Sequence, residues 1–430
     1  MHIAWLGKKT PFCGNVTYSR EITNALLNRG HQVSFFHFEQ VTAESYPKES
    51  LTNDWFSGSP PSPTWNSSPH STVFSAAYGN DIHYGRGGQQ RPASFHEVPI
   101  PYLYKSQIYT IPSLQSAKVL ADALKQLKPD LIHASLTLSP LDFLLPDLCQ
   151  ELGIPLVATF HPAFDDKRRS LTSGTQHITY QIYAPFLANY DRVIVFSNIQ
   201  RDMLIRLGVP PETVIVIPNG VDINKYSPAY SSIKTTLHAD RLFVYQGRLS
   251  PEKNVEALLR AWKQCQLGTG AKLALVGDGP LAASLMSTYA AEDGIVWLGF
   301  IEDEQQRINI LRGADVFILP SLIEGLSLSL LEAMACGVAC LATDAGADGE
   351  VLAHGAGITL STQRVTEQLQ TLLPLCRDQP ELTMILGQKA RQRVLERYTL
   401  SHNISQVEEV YAQVLQRQQR SVYFEQIKAV

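Results

Sequence analysis

Short apolar runs alternate with amphipathic stretches along most of the 430-residue chain. The first run, His2–Gly7, precedes a loop and a helical pattern from about Tyr18 to Asn28, and Gln32–Phe38 is the next apolar run. Apolar runs of this length predict buried parallel strands, and the amphipathic stretches predict helices that cover both faces of a sheet. The pattern therefore predicts a doubly wound α/β fold.

The alternation falls into two series, separated by the turn-forming segment Pro218–Asp222, which we interpret as a hinge between domains. Residues 1–217 form the first predicted Rossmann-like domain and residues 218–400 the second. Residues 401–430 begin with an amphipathic helical pattern, which we expect to return towards the first domain. Two such domains leave a cleft at the carboxyl ends of their sheets, where doubly wound folds bind ligands.

Residues 41–98 interrupt the first series and are rich in Ser, Pro, Gly and Asn. So long a stretch without a strand or helix pattern is usually either functional or disordered. Two interpretations stay open, a lid beside the cleft and a disordered insert without a role.

Composition narrows the class of protein. Hydrophobic residues at 44% and charged residues at 18% are typical of a globular enzyme, and the net charge of −4 offers no basic field for nucleic acid. The six cysteines lack Cys-x-x-Cys spacing, which predicts reduced core thiols in a cytosolic protein and neither a disulfide framework nor a zinc site. We find no signal-peptide pattern and no transmembrane run, so we expect any membrane contact to be peripheral.

The first candidate site is a strand–loop–helix segment, Ser321–Gly337. Glu324 follows the apolar run Val316–Pro320, and Glu332 lies in the helix predicted from Leu326 onwards. Carboxylates accept hydrogen bonds from sugar hydroxyls and a helix amino end can hold a phosphate, so the segment predicts a pocket for a sugar joined to a diphosphate. The alternative is a pair of solvated glutamates, but the apolar neighbours of Glu332 favour a partly buried carboxylate that needs a partner.

Two cations lie at a second strand-to-helix junction. Arg248 and Lys253 follow Gly247, with Ser250 as the predicted N-cap and Pro251 as the first helical residue. Cations at such a junction can neutralise a diphosphate and stabilise it as it leaves. The alternative is that both are ordinary surface cations.

Further residues in the loops at the predicted cleft allow two interpretations each. His161 ends a predicted strand and is either a ligand contact or a structural histidine. Gly14 either permits close approach of the backbone to a ligand or only makes a turn. Asp165 and Asp166 could act as general bases, but we interpret them as loop charges.

Three motifs resemble, in order and spacing, the donor half of the retaining GT-B glycosyltransferases of family four. They are Gly247–Asn254, Val276–Gly279 and Glu324–Gly337, and the resemblance covers roughly residues 195–400. It implies a GT-B fold, in which two Rossmann-like domains face a cleft, an acceptor-side domain first and a nucleotide-sugar domain second.

The resemblance also implies roles for the site residues. Arg248 and Lys253 would hold the diphosphate, and Glu332 the ribose hydroxyls. Glu324 would contact the transferred sugar, and His161 would contact the same sugar from the other domain. The resemblance adds the backbone N–H groups around Leu326, Ser327 and Leu328, with Ser327 standing where the family commonly has glycine. The remaining predicted donor-binding positions are Gly14 and Gly247, which follow strands at the cleft.

The amino-terminal half resembles the cyanobacterial digalactosyldiacylglycerol synthases in the segments Ile3–Thr17, Pro101–Thr110 and Thr159–Pro162. This resemblance implies UDP-galactose as the donor, monogalactosyldiacylglycerol as the acceptor and a cytoplasmic protein that is peripheral on a membrane surface. The residues that could touch the bilayer are Tyr102, Tyr104, Lys105, Lys167, Arg168 and Arg169. The alternative for these residues is buried strand aromatics beside a solvated basic turn.

In this family the transferred sugar keeps its anomeric configuration, which is pictured as front-face attack with the departing phosphate taking the acceptor's proton. We therefore expect no protein nucleophile, no metal and no other cofactor, since Arg248 and Lys253 can supply the charge. Three alternatives stay open: a family-four transferase with another lipid or soluble saccharide acceptor and a different UDP- or GDP-sugar, a sugar-nucleotide epimerase or hydrolase, and a non-catalytic sugar-nucleotide sensor or partner subunit.

Overall fold

The computed structural model describes residues 1–10, 13–39, 95–106, 109–136, 138–163, 171–289 and 294–428. The strands are β1 His2–Leu6, β2 Gln32–Phe38, β3 Phe95–Ile100, β4 Tyr102–Lys105, β5 Thr110–Pro112, β6 Leu131–Ser135, β7 Leu156–Thr159, β8 Arg192–Val195, β9 Val214–Val216, β10 Arg241–Gln246, β11 Ala271–Val276, β12 Ile295–Gly299, β13 Val316–Leu319, β14 Ala339–Thr343 and β15 Ile358–Leu360.

The α-helices surround these strands and connect them. They are α1 Gly14–Asn28, α2 Ser116–Leu127, α3 Leu145–Leu152, α4 Leu171–Leu187, α5 Asn198–Arg206, α6 Ile233–Thr236, α7 Val255–Cys265, α8 Ala282–Thr288, α9 Glu304–Gly313, α10 Leu328–Ala335, α11 Asp348–Val351, α12 Val365–Asp378, α13 Pro380–Arg397 and α14 Leu400–Lys428. None of them, among the residues described, is long and apolar enough to cross a membrane.

Two parallel sheets form the two domains, as the alternating pattern predicts. Among the described residues, the first has seven strands in the order β3-β2-β1-β6-β7-β8-β9, and the second has six in the order β12-β11-β10-β13-β14-β15. Every pairing within both sheets is parallel. In each sheet the strand order reverses beside the first strand of the series, which places a crevice for ligands at the carboxyl edge.

The edge strand β3 is a correction to the sequence analysis, which assigned residues 41–98 to an insert without regular structure. Phe95–Ile100 pairs with β2 in parallel over six residues, so the last part of that stretch belongs to the sheet. This strand is at the edge of the sheet and partly exposed, so polar residues and Pro99 are tolerated in it. Its sequence therefore lacks the apolar run that predicts a central strand. Residues 40–94, and with them the lid interpretation, lie outside the described residues.

Residues 140–152 form two successive helical segments. Pro140–Phe143 is a 3₁₀ turn capped by Ser139, and α3 follows it. Pro146 has no N–H to donate to the Asp142 carbonyl, which instead accepts a hydrogen bond of 2.8 Å from the hydroxyl of Tyr190. A proline at this position therefore stops one continuous helix from forming.

The predicted hinge packs closely against the carboxyl-terminal part of the chain. Val221 exchanges backbone hydrogen bonds of 2.9 Å with Tyr398 and Leu400. A Cβ atom on Gly220 would lie 2.7 Å from the Leu400 Cα, so only glycine fits there. This segment is thus held in place by the residues around the start of α14.

The long helix α14 packs against the first domain. Tyr411 is fully buried, and its hydroxyl lies 2.6 Å from Nδ1 of His133 on β6. Glu408 forms an ion pair with Arg29, and its Oε1 atom lies 2.8 Å from Nε2 of His31, both just after α1. The chain that completes the second domain is therefore anchored on the first.

Candidate active site

Lys253 and Glu324 form an ion pair at the carboxyl edge of the second sheet. The Lys253 ammonium lies 2.6 Å from Glu324 Oε1, and the Ser321 hydroxyl donates to the same oxygen at 2.7 Å. The two residues follow β10 and β13, which are neighbours in the sheet. Glu324 is only 7% exposed, so the pair is held away from bulk solvent.

Arg248 lies at the same edge and pairs with Glu252, whose carboxylate also accepts a hydrogen bond from the Ser250 hydroxyl at 2.6 Å. These contacts lower the pKa of Glu252 although its burial opposes the shift. Ser250 occupies the predicted N-cap position and Pro251 is the first residue of the turn that follows. This turn is a 3₁₀ turn without a side-chain cap bond, however, and α7 begins only at Val255.

The reason for this break is Asn254. It has a left-handed backbone with φ of 51°, and its side-chain amide donates to the Pro320 carbonyl at 3.3 Å. This conformation ends the turn that carries Lys253 before α7 begins, so the cation is presented by a short loop beside the strand that leads to Glu324.

Glu332 lies on α10 and is partly buried, as its apolar neighbours predict. Its Oε2 accepts a hydrogen bond of 2.9 Å from the side chain of Gln246, which ends β10. Burial raises the pKa of Glu332 to about 7, with hydrogen bonds from Tyr226 and Gln246 opposing the shift. The Oε1 atom of Gln246 is buried and has no partner, so this corner of the site retains hydrogen-bonding capacity.

The helix α10 begins at Leu328 and not at the predicted Leu326, because Ser327 is its N-cap. The Ser327 hydroxyl accepts from the Leu330 N–H at 3.3 Å. The Ser327 N–H donates to Asp348 Oδ1 at 2.9 Å. Of the backbone N–H groups expected to meet a phosphate, the one on Ser327 therefore already has an intramolecular acceptor.

Asp348 is fully buried, and burial together with the negative charge of Glu324 raises the pKa of its carboxyl group well above the usual range. Its second oxygen, Oδ2, is buried and has no partner. The turn before it packs against the Glu324 loop, where the Ala347 N–H donates to the Gly325 carbonyl at 2.7 Å. Asp348 and the turn before it thus hold the backbone of the segment between Glu324 and α10 in place.

Gly247 lies where two loops of the second sheet meet. A Cβ atom on the neighbouring Gly277 would fall 1.9 Å from the Gly247 carbonyl oxygen, and Gly277 has φ of +136°, so only glycine fits. Asp278 closes this turn, because its carboxylate accepts from the Gly279 N–H at 2.7 Å. The close approach brings the loop with Arg248 against the loop that follows β11.

His161 follows β7 at the carboxyl edge of the first sheet. Its Nε2 atom lies 2.8 Å from the Ser135 hydroxyl, and Tyr18 stands edge-on to its ring. Burial, and secondarily the positive charge of Lys8, lower the pKa of His161 to about 3. The imidazole is therefore neutral near pH 7 and can act as a hydrogen-bonding group but not as a cation.

The two domains meet at these residues. A Cβ atom on Gly325 would lie 3.6 Å from the His161 carbonyl oxygen and 4.0 Å from the Phe196 ring. The buried Asn219 of the hinge donates from its side chain to the Leu326 carbonyl at 3.0 Å. The loop that carries Glu324 is therefore held against His161 across the cleft.

The other predicted site residues have mixed placements. Gly14 is the first residue of α1, and a Cβ atom there would meet nothing within 4 Å, so this position requires no glycine in the structure. The Lys105 ammonium donates to the Phe38 carbonyl at 2.6 Å and to the Thr10 hydroxyl at 2.8 Å. It also lies over the ring of Tyr102. A lysine can bury its aliphatic stem in this way while its ammonium reaches polar acceptors. The segment with Lys167, Arg168 and Arg169, and with Asp165 and Asp166, lies outside the described residues.

Tyr104 is half exposed, whereas Tyr102 and Lys105 are partly buried.

The cysteine prediction is partly wrong. The residues Cys149, Cys336, Cys340 and Cys376 are buried free thiols, but Cys13 and Cys265 are half-buried.

Sequence reasoning missed Gln246, Asp348 and Ser135. A glutamine at the end of an otherwise apolar strand was a usable signal, because doubly wound folds bind ligands at strand ends. Asp348 gave no local signal, since it meets Ser327 only through the packing of two loops 21 residues apart.

Two family models match the chain. Residues 13–225 match the Glycosyltransferase Family 4 model, and residues 231–393 match the Glycosyl transferases group 1 model, so together they cover most of both domains. The chain belongs to the GT-B glycosyltransferase superfamily of group 1 and family 4. It is a glycosyltransferase that takes its sugar from a nucleotide sugar.

Known proteins similar to this transferase differ in donor and acceptor. The UDP-Gal:α-D-GlcNAc-diphosphoundecaprenol α-1,3-galactosyltransferase of Escherichia coli is 27% identical over 331 residues, which are 73% of this chain and 82% of that one. The GDP-mannose-dependent α-(1-6)-phosphatidylinositol dimannoside mannosyltransferase of Mycobacterium tuberculosis is 29% identical over 243 residues, which are 54% of this chain and 62% of that one.

Among solved structures, Anabaena HepE in complex with UDP-glucose has a TM-score of 0.70 with 17% identity, over 96% of this chain and all of that one. WaaG, a glycosyltransferase involved in lipopolysaccharide biosynthesis, has a TM-score of 0.63 with 15% identity, over 95% of this chain and 99% of that one. At these identities the likeness concerns the fold, and it agrees with the two parallel-sheet domains described above.

Proposed function

We propose that this transferase moves galactose from UDP-galactose onto a membrane glycolipid, converting monogalactosyldiacylglycerol to digalactosyldiacylglycerol with retention of the anomeric configuration. The observation that carries the proposal is the contact between the Glu324–Gly325 loop and His161, because it brings the predicted sugar-binding groups of both domains together. The names of the two relatives support a lipid-linked acceptor, and that of the Escherichia coli enzyme supports UDP-Gal.

The proposed donor complex follows from the positions of the charged groups. Arg248 and Lys253 lie at one edge of the second sheet and would bind the two phosphates. Glu332 would accept hydrogen bonds from the ribose hydroxyls, and Glu324 and His161 would contact the galactose. Because Arg248 and Lys253 are now paired with Glu252 and Glu324, donor binding would require these ion pairs to loosen or to share their protons with the phosphates.

In the proposed reaction the bond between the galactose C1 atom and the phosphate oxygen breaks, and a bond forms between C1 and the acceptor hydroxyl oxygen on the same face. The hydroxyl proton passes to the departing phosphate oxygen, and UDP leaves. Glu324 is occupied by Lys253 and Ser321, which favours a binding role over a nucleophilic one. Arg248 and Lys253 would stabilise the charge that develops on the leaving diphosphate.

The test is incubation of the purified full-length protein with radiolabelled UDP-galactose and either a lipid extract, pure monogalactosyldiacylglycerol or soluble saccharides. We expect label in a digalactolipid. An α-galactosidase should release the labelled galactose from it and a β-galactosidase should not, which would show an α linkage. Label only in a soluble product, or transfer only from UDP-glucose or GDP-mannose, would support a family-four transferase of another specificity.

Two outcomes would point to the other classes. Interconversion of the sugar nucleotide, or release of free galactose without any acceptor, would indicate an epimerase or a hydrolase. Binding of the nucleotide sugar without turnover under all of these conditions would indicate a sensor or a partner subunit.

A further inference from the structure

The first domain has a row of exposed apolar side chains on the hairpin β4–β5 and on α4. We define the apolar edge as Leu103, Tyr104, Ile111, Ile178, Ile182 and Phe186, which are 69%, 50%, 41%, 54%, 50% and 38% exposed. Ile178, Ile182 and Phe186 follow one another at intervals of four residues, so they form a stripe along one side of α4. Contiguous exposed apolar surface of this kind marks an interaction site.

The hairpin and the helix are parts of one surface. The Thr110 N–H of β5 donates to the Leu138 carbonyl, just before the 3₁₀ turn Pro140–Phe143. The last residue of that turn, Phe143, packs against Phe186 with ring centroids 4.4 Å apart and the rings tilted by 50°. The hairpin, the turn and α4 therefore follow one another without a gap between them.

This surface lies beside the acceptor side of the cleft. The Tyr180 hydroxyl, on α4 between Ile178 and Ile182, donates to the carbonyl of Pro162 at 2.9 Å, next to His161. Lys105 ties the hairpin to Phe38, the last residue of β2, and to Thr10 in the loop after β1. Both parts of the apolar edge are thus fixed to the carboxyl ends of the first sheet, where the acceptor would enter.

We propose that the apolar edge inserts into the interfacial region of a lipid bilayer and so brings the headgroup of a membrane acceptor to His161. The inference rests on the proposed function for the identity of the acceptor.

The composition of the surface favours a bilayer over a protein partner. The sequences of the hairpin and of α4 contain no aspartate or glutamate, so nothing on them repels an anionic lipid surface. Asp142 in the intervening turn is buried and accepts a hydrogen bond from Tyr183. Isoleucine and leucine beside half-exposed tyrosine is the combination expected where side chains meet the headgroup level of a membrane.

The experiment uses the full-length protein and vesicles of phosphatidylglycerol and monogalactosyldiacylglycerol in a flotation assay. The double substitution Ile178→Ser/Ile182→Ser should lower the vesicle partition coefficient by about 10- to 100-fold, since two large apolar groups no longer enter the lipid. The matched control is Met384→Ser/Ile385→Ser, which changes two exposed apolar residues on α13 of the second domain and should leave partitioning unchanged.

A second measurement does not depend on how well the double variant folds. In Ile182→Trp, the difference between its emission and that of the unaltered protein, which has five tryptophans, reports the new fluorophore; this difference is expected to shift to the blue when vesicles are added and to be quenched by brominated lipid. Equal partitioning of the double variant and the unaltered protein, or an unshifted Ile182→Trp emission, would overturn the proposal. It would also be overturned if the unaltered protein were a dimer that the double substitution converts to a monomer, because the surface would then be a contact between two copies.

Transfer to detergent-dispersed acceptor separates this inference from the proposed function. If the double variant keeps transfer in detergent micelles but loses vesicle binding and transfer on vesicles, both proposals stand. If no galactolipid forms in any format while vesicle binding is lost as expected, the docking surface stands and the proposed acceptor is wrong.

Discussion

The Lys253 ammonium lies 2.6 Å from Glu324 Oε1, although the two residues are 71 positions apart in the chain. They follow neighbouring strands, β10 and β13, so the order of strands in the second sheet creates the pair. In a partly buried site each charge depends on the other, and a donor diphosphate would add a competing partner for the cation.

Lys253→Ala is expected to lower kcat/KM for the nucleotide sugar by about 100- to 1000-fold, because one cation no longer stabilises the leaving diphosphate. Lys253→Arg should keep part of the activity, since it keeps the charge but not the shape. Steady-state kinetics check this, with Arg260→Ala as the control because Arg260 is an exposed cation on α7 that pairs with Glu256 on the same helix. Undiminished turnover in Lys253→Ala would refute the role of this residue.

Donor binding is expected to depend on pH through Glu332. Burial raises its pKa to about 7 in the free enzyme, so below that pH the group is largely protonated and is a poorer acceptor for two hydroxyls. Between pH 8 and pH 6 the affinity for UDP-galactose should fall by about tenfold, with a proton released on binding at the lower pH. Calorimetry in buffers of different ionisation enthalpy measures both quantities.

Glu332→Gln is the matched variant for this pH dependence. It should bind the donor more weakly at pH 8 but with an affinity that no longer changes between pH 8 and pH 6. His161 does not confuse the measurement, because its pKa of about 3 lies far below this range. A pH profile that persists in Glu332→Gln would assign the titration to another group.

Gly346→Ala is expected to damage the site through backbone geometry. Gly346 has φ of +57°, and a Cβ atom there would lie 2.2 Å from the Glu324 carbonyl oxygen and 2.5 Å from that of Gly325. The control is Gly30→Ala, where φ is +85° but nothing lies within 4 Å, so only the conformational cost of about 1 kcal/mol applies. Chemical denaturation should show a larger loss in Gly346→Ala, and only that variant should lose transfer activity. Equal effects in both variants would mean that the loop moves aside freely.

Asp348 should tolerate asparagine but not leucine. Burial raises the pKa of its carboxyl group, which favours the neutral form, and Asp348→Asn is neutral and keeps an acceptor oxygen for the Ser327 N–H in nearly the same volume. Asp348→Leu leaves that N–H buried without an acceptor, at a cost of about 1–3 kcal/mol, and should raise KM for the donor. Unfolding free energies and donor KM values check this. If asparagine is as harmful as leucine, the ionised carboxylate is required.

Much of the donor half could be predicted because its signals are local. An apolar run predicts a strand and its carboxyl end, so Arg248 and Glu324 could be assigned to one edge of a sheet from the residues that precede them. The helix with Glu332 could be predicted in the same way. The prediction was wrong where a single side chain decided a boundary, as Ser327 does at the start of α10 and Asn254 does before α7.

The sequence by itself determined the two alternating series, the turn-forming segment between them and the strand ends on which the charged residues lie, because these depend on periodicity over a few neighbouring residues. Only the tertiary structure decided which residues meet. It paired Lys253 with Glu324, set Gly325 against His161, and joined Tyr411 to His133 across 278 positions. Such contacts depend on strand order and on the packing of one domain against the other, which a pattern of apolar and polar residues along the chain does not specify.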